Sequence, residues 1–135
     1  MPALDQAQAV NLLAGMTATA SYTATLTGLK LRLMINAPTA TVDGTQLSGS
    51  GYTAGGQAVV WGSATGTSTG AIITNTNTIT WTNGSVSNTW NVVGLELWDY
   101  TPVRIAYGLW SGQPYQIGPG SEFVVGAGAL SLSFP

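Results

Sequence analysis

The sequence predicts an all-β fold, an antiparallel β-sandwich or jelly-roll-like arrangement with one short N-terminal helix. Three observations point there. About seven to nine short runs alternate apolar and polar residues with the period of two expected of half-buried strands. Turn chemistry rich in Gly, Asn, Asp and Pro recurs roughly every eight to twelve residues. The 135 residues contain no composition break and no fixed-period repeat, and a chain of that length can bury a core of its own.

The elements follow in order. Residues 3–14 carry Leu4, Ala7, Val10 and Leu13 on one helical face, with Asp5 in the first turn and Gly15 as a C-terminal stop. Such a short helix with one charge must pack against something, so residues 1–15 read as a docking arm and residues 16–135 as a single β-sandwich domain. Residues 16–27, rich in Thr and Ala, fit neither period. From Leu29 the period is two: Leu29, Leu31, Leu33 and Ile35 share one face, and Lys30, Arg32 and Met34 the other, ending at Asn36-Ala37-Pro38.

Asp43-Gly44 and Ser48-Gly49-Ser50-Gly51 are turn signals, and Ala58–Trp61 is a short strand. Residues 62–70 read as an exposed, mobile Gly/Ser/Thr loop. Between Thr74 and Thr82, Ile79 and Trp81 share a face beneath a row of threonines. Asn83-Gly84 is the strongest hairpin signal in the chain. Beyond it, Val93, Leu95 and Leu97 face Val103, Ile105 and Tyr107 across a turn at Asp99–Pro102, which sets Glu96 opposite Arg104 as a cross-strand ion pair. Ser111-Gly112-Gln113-Pro114 turns again, and Ala129–Phe134 alternates as a final strand.

Composition removes most chemistry. The chain has no histidine and no cysteine, so it can build neither a Ser-His-Asp triad nor a thiolate nucleophile nor a zinc knuckle. Charged residues make up 6% of it, against roughly 25% in ordinary soluble domains. A surface this neutral repels its own copies little, which favours self-assembly or docking in a larger particle. The three cations Lys30, Arg32 and Arg104 make no stripe for nucleic acid. No apolar run approaches the ~20 residues of a membrane helix, so no membrane insertion is expected. Met1–Asp5 lacks a basic leader region, and the N-terminus is expected to be mature structure.

Glu96 and Asp99 are the only close acid pair, one inside a strand and one opening a turn, while Asp43 and Glu122 adjoin glycine-rich turns. Structural roles fit them better than glycoside hydrolysis or cation binding. Neither enzyme activity, cofactor nor metal is expected. Gly49, Gly51, Gly55 and Gly56 spell no phosphate loop, because neither a helix nor a following Lys accompanies them.

Five tryptophans remain, Trp61, Trp81, Trp90, Trp98 and Trp110. Trp81 continues an apolar face. Trp98 and Trp110 fall opposite the Leu/Ile/Val rows, which suits either a subunit interface or a sugar-stacking platform. Tryptophan enrichment in protein contacts favours the interface. The candidate interface is therefore Leu4, Val10, Leu13, Trp98 and Trp110. The alternative, a module binding host-surface glycan, would stack sugars on Trp98, Trp110 and Tyr115.

Read in order, the landmarks resemble a family of small tailed-bacteriophage tail fibre or minor tail proteins. Its "LxLxLxTxxP" strand is similar to Leu29–Pro38, and its "E-V-S-G-G-G-Y-x-R-Q-A-V" stretch to Gln46–Tyr52 followed by Gln57-Ala58-Val59. Its "N-T-x-x-I-T-F" resembles Asn75–Trp81, its "W-G-x-V-T-H-x-G-L-x-D" Trp90–Asp99, and its "L-x-Y-G-x-L" Ile105–Leu109. The closing "G-A-L-x-L-x-F" is similar to Gly128–Phe134. The chain departs from the pattern in having no His near residue 93 and no Arg after Tyr52. The resemblance implies a virion structural protein at the particle surface, in the tail or as a capsid decoration protein. It would be a homo-oligomer, preferably a trimer, with other virion proteins as partners.

Overall fold

The computed structural model describes residues 3–4, 28–68, 70–112 and 114–134. Among these residues the protein is all-β, with every strand pairing antiparallel and no helix. A five-stranded sheet runs in the order β1 (Ala3–Leu4), β9 (Arg104–Leu109), β8 (Gly94–Trp98), β2 (Lys30–Met34), β3 (Gln57–Ala58). Smaller sheets pair β10 (Tyr115–Ile117) with β7 (Trp90–Val92), and β11 (Glu122–Val125) with β6 (Ile79–Thr82). The last joins β12 (Ser131–Phe134), β5 (Gly70–Thr74) and β4 (Thr65–Thr67).

Alternation in the sequence becomes burial. Leu29, Leu31 and Leu33 of the β2 region, Leu95 and Leu97 of β8 and Ala106 of β9 enter one core with Ile79, Trp81, Trp90, Val92, Ile117 and Val125 from the smaller sheets. Each fully buried Leu or Ile contributes roughly 1.5–3 kcal/mol through area removed from water. The core thus ties the separate ladders into one unit.

Four expectations are corrected. The helix expected over 3–14 fails at its start, because Ala3 and Leu4 form β1, opposite Tyr107 and Ala106 of β9. The first amides of a helix have no intrahelical acceptor, whereas the outer edge of β9 offers unpaired backbone groups. Residues 5–14, with Val10 and Leu13, lie outside the described residues. Second, the loop expected over 62–70 contains β4, which turns back onto β5 with Thr65 opposite Ile72 and Thr67 opposite Gly70. Threonine's branched side chain suits a strand as well as a loop.

Third, Asn83-Gly84 closes no two-residue hairpin. β6 pairs with β11 and β7 with β10, and neither Asn83 nor Gly84 has the positive φ that a type I′ turn requires. Asn83 is instead fully buried. Its amide donates to the carbonyls of Asn88 (2.8 Å) and Ile117 (2.9 Å), and its Oδ1 accepts from the Ser85 amide. Asn75 does the same work at the other corner, donating to the carbonyls of Asn77 and Gly126 and accepting from Leu130. Fourth, the apolar face of β2 does not continue to Ile35, which is 38% exposed, while Met34 is 1% exposed. The strand ends at Met34, whose side chain is roofed where Gly44 approaches it.

That roof is the segment between β2 and β3. It is held by Ile35 N donating to Thr45 O and Leu47 N donating to Leu33 O. Tyr52 anchors its far side: its hydroxyl accepts from the Leu33 amide and from Gln46 Nε2. Burial pushes the Tyr52 hydroxyl above the ordinary tyrosine value, against the opposing pull of Gln46, the Leu33 amide and Arg32.

Candidate functional site

Two groups of side chains hold the chemistry the sequence singled out, and they occupy opposite faces of the five-stranded sheet. On the face turned from the core, Glu96 is completely buried and Arg104 is 3% exposed. The expected hairpin forms, but a bulge between Leu97 and Trp98 shifts its register: Arg104 lies opposite Trp98, and Glu96 opposite Tyr107. Tyr107 therefore shares the polar face, and Ala106 takes the core position beside Leu97. The bulge keeps Arg104 on the Glu96 face, and the expected ion pair forms at 2.9 Å.

Every oxygen of that carboxylate is used. Glu96 Oε1 accepts from Arg104 Nη1 (2.9 Å) and the Gly44 amide (2.7 Å), and Oε2 from Trp98 Nε1 (2.8 Å). Arg104 also donates to the carbonyls of Val42 (2.8 Å) and Thr39 (2.6 Å), with Asp43 at 3.4 Å. The roof segment over 36–45 is thereby clamped to the sheet by charge-assisted bonds. Arg32, opposite Glu96 on β2, stacks its guanidinium over the Trp98 ring at 4.1 Å and donates to the Gly55 carbonyl. Alternation alone puts Arg32 on the face of β2 opposite the leucines, with no partner named for it. Only the β2–β8 register, which no local pattern encodes, brings it to Trp98.

At the end of the same hairpin, Asp99 caps the 99–103 turn. Its carboxylate accepts from the Thr101 and Val103 amides and the Thr101 hydroxyl. Burial alone would raise its pKa, but the bonds from Val103 and Thr101 together outweigh it and hold the group below the ordinary aspartate value. Glu96 and Asp99 are therefore both committed to structure.

The second group lies on the core side. Trp110, half-buried, packs against Phe123 with ring centroids 5.6 Å apart, and the 51%-exposed Tyr115 meets the same ring edge-on at 5.4 Å. Beside them opens a cleft of about 330 Å³ lined by Leu31, Leu95, Leu97, Trp110, Phe123 and Leu132 among others. All of these are apolar or aromatic. Of the candidate interface residues, Leu4 has its backbone in β1, Trp98 lies under Arg32, and Trp110 borders the cleft. Trp110 and Tyr115 come together around Phe123. Trp98, on the other face of the sheet, does not join them, so the three rings make no common platform.

No protein-family model matches the chain, and no curated protein matches it.

Proposed function

We propose that this chain is a non-enzymatic structural protein of a tailed-phage virion. It docks on the particle surface as an oligomeric β-sandwich, a trimer by preference, either as a tail or minor tail component or as a capsid decoration protein. Residues 1–15 act as its docking arm. The observation that carries this reading is how the charged side chains are used. Glu96, Arg104, Arg32 and Asp99 hold strands, the roof segment and a turn, so these groups serve rigidity and leave the outer surface nearly neutral. The ordered series of tail-protein-like motifs from Leu29 to Phe134 supports the same reading. An interface of roughly 1,600 Å² suffices for stable attachment, and symmetry multiplies weak contacts into avidity.

Immunogold electron microscopy of intact particles, with antibody against this chain, tests the proposal. Gold over capsids makes it a decoration protein, and gold confined to the tail makes it a tail component. Particles that carry the protein by mass but bind no gold call for labelling after mild disruption. Particles without the protein by both methods overturn the proposal.

A further inference from the structure

Beyond the Met34 end of β2, residues 47–50, 85 and 88–91 border, with Ile35, a groove of about 370 Å³. Its frame is tied on both sides. The Gly84 amide donates to the Ser50 carbonyl at 2.9 Å and Ser50 Oγ donates to the Gly84 carbonyl at 3.2 Å. Asn83 holds the Asn88 carbonyl at 2.8 Å, and the Asn88 amide donates to Ser85 Oγ at 2.8 Å. A groove fixed in this way loses little freedom when a ligand enters.

Trp90 lies at its floor, only 4% exposed and edge-on to Tyr52. Its indole N–H makes no hydrogen bond among the described residues. Gly49, also in the groove lining, stands beside that nitrogen, and a Cβ there would lie 3.2 Å from Nε1. A side chain at position 49 would crowd the donor, and glycine leaves it open to the groove. Along the walls, the side chains of Ser48, Asn88 and Thr89 likewise make no hydrogen bond among the described residues. Ile35, 38% exposed, adds an apolar patch.

The lining thus offers donors, hydroxyls, an amide and a hydrocarbon surface, and none of its side chains is charged. A charged ligand would be desolvated there without a counter-charge. A neutral one carrying hydroxyls and a C–H face matches each feature, and one of its oxygens can accept from the Trp90 N–H in place of water. We propose that this groove is a binding site for a neutral saccharide, sized for about one or two sugar rings. A ring hydroxyl accepts from Trp90 Nε1–H. Others exchange hydrogen bonds with Ser48, Asn88 and Thr89, and the C–H face rests on Ile35. The site is independent of where the protein sits on a particle and stands apart from Trp98, Trp110 and Tyr115.

The test is a titration of the full-length ¹⁵N-labelled chain with a panel of neutral hexoses, N-acetylhexosamines and deoxyhexoses and their disaccharides, with glycerol as control. At least one sugar should shift the Trp90 indole resonance saturably, with the Ser48, Asn88 and Thr89 amides moving alongside. Trp90→Phe stays aromatic but removes the donor together with the smaller indole ring, and should weaken binding about tenfold. Because Trp90 is in the core, Asn88→Ala at the exposed wall provides the second variant and should weaken binding several-fold. A Trp90 indole that stays still across the panel overturns the proposal, as does a shift that glycerol reproduces. An affinity untouched in Asn88→Ala, or a response to a neutral Gly/Ser peptide but to no sugar, overturns it too.

Discussion

Glu96 is a carboxylate with no exposed surface, and its burial is tolerated because three donors bond to it: the Arg104 guanidinium, the Gly44 amide and the Trp98 indole, whose ring in turn carries the Arg32 guanidinium. Removing one partner of such a pair costs more than the pair contributes, since the other is left charged in a dry place. Glu96→Ala should therefore lower unfolding stability by about 3–5 kcal/mol, read by urea denaturation. Replacing Glu96 and Arg104 together by apolar residues of similar volume should recover much of that loss. A single variant within about 0.5 kcal/mol of the parent would mean the roof segment is not clamped by this carboxylate.

At the scale of elements, glycines decide how closely the roof segment and β3 approach the sheet. Gly56 has φ +88, and a Cβ there would meet the Leu31 carbonyl at 2.3 Å. Gly56→Ala combines a left-handed backbone with a clash against β2 backbone, so it should cost at least about 2 kcal/mol. Faster hydrogen exchange should appear at β3 and the Lys30–Leu31 end of β2, with β11 and β6 little affected; uniform exchange changes would contradict this local account. The same scale explains what was readable beforehand. The β8–β9 hairpin and its Glu96–Arg104 pair were legible because a short turn at Asp99–Pro102 forces two adjacent alternating runs together. β6 and β7 were misjudged because Asn83 has the composition of a hairpin turn. Long-range bonds to Asn88 and Ile117 outweigh that local preference. Trp90 gave no sign of a binding role, since a tryptophan in an apolar run reads as core until the groove above it is seen.

For the whole molecule, the missing histidines set the response to pH. No side chain of ordinary pKa titrates between about pH 5.5 and 8 in such a chain, so the melting temperature should be flat across that range. On acidification the sign follows from Asp99. Its folded pKa is depressed, so its contribution is complete above the unfolded aspartate value and is lost as pH falls through the lower folded value. Differential scanning calorimetry of the parent and Asp99→Asn should show the parent's acid loss reduced in the variant. A slope at neutral pH, or identical acid limbs, would count against this assignment.

By itself the sequence determined the all-β antiparallel class, the poverty of ionisable chemistry, the apolar faces of most strands and one hairpin with its ion pair. These follow from composition and from short-range periodicity, which act on residues close along the chain. The tertiary structure alone decided that β6 pairs with β11, that Arg32 reaches Trp98, that residues 36–45 roof Glu96, and that the Trp90 N–H opens into a groove. Each depends on which distant backbone groups come within hydrogen-bonding distance, and that is a property of the folded packing with no local signature in the chain.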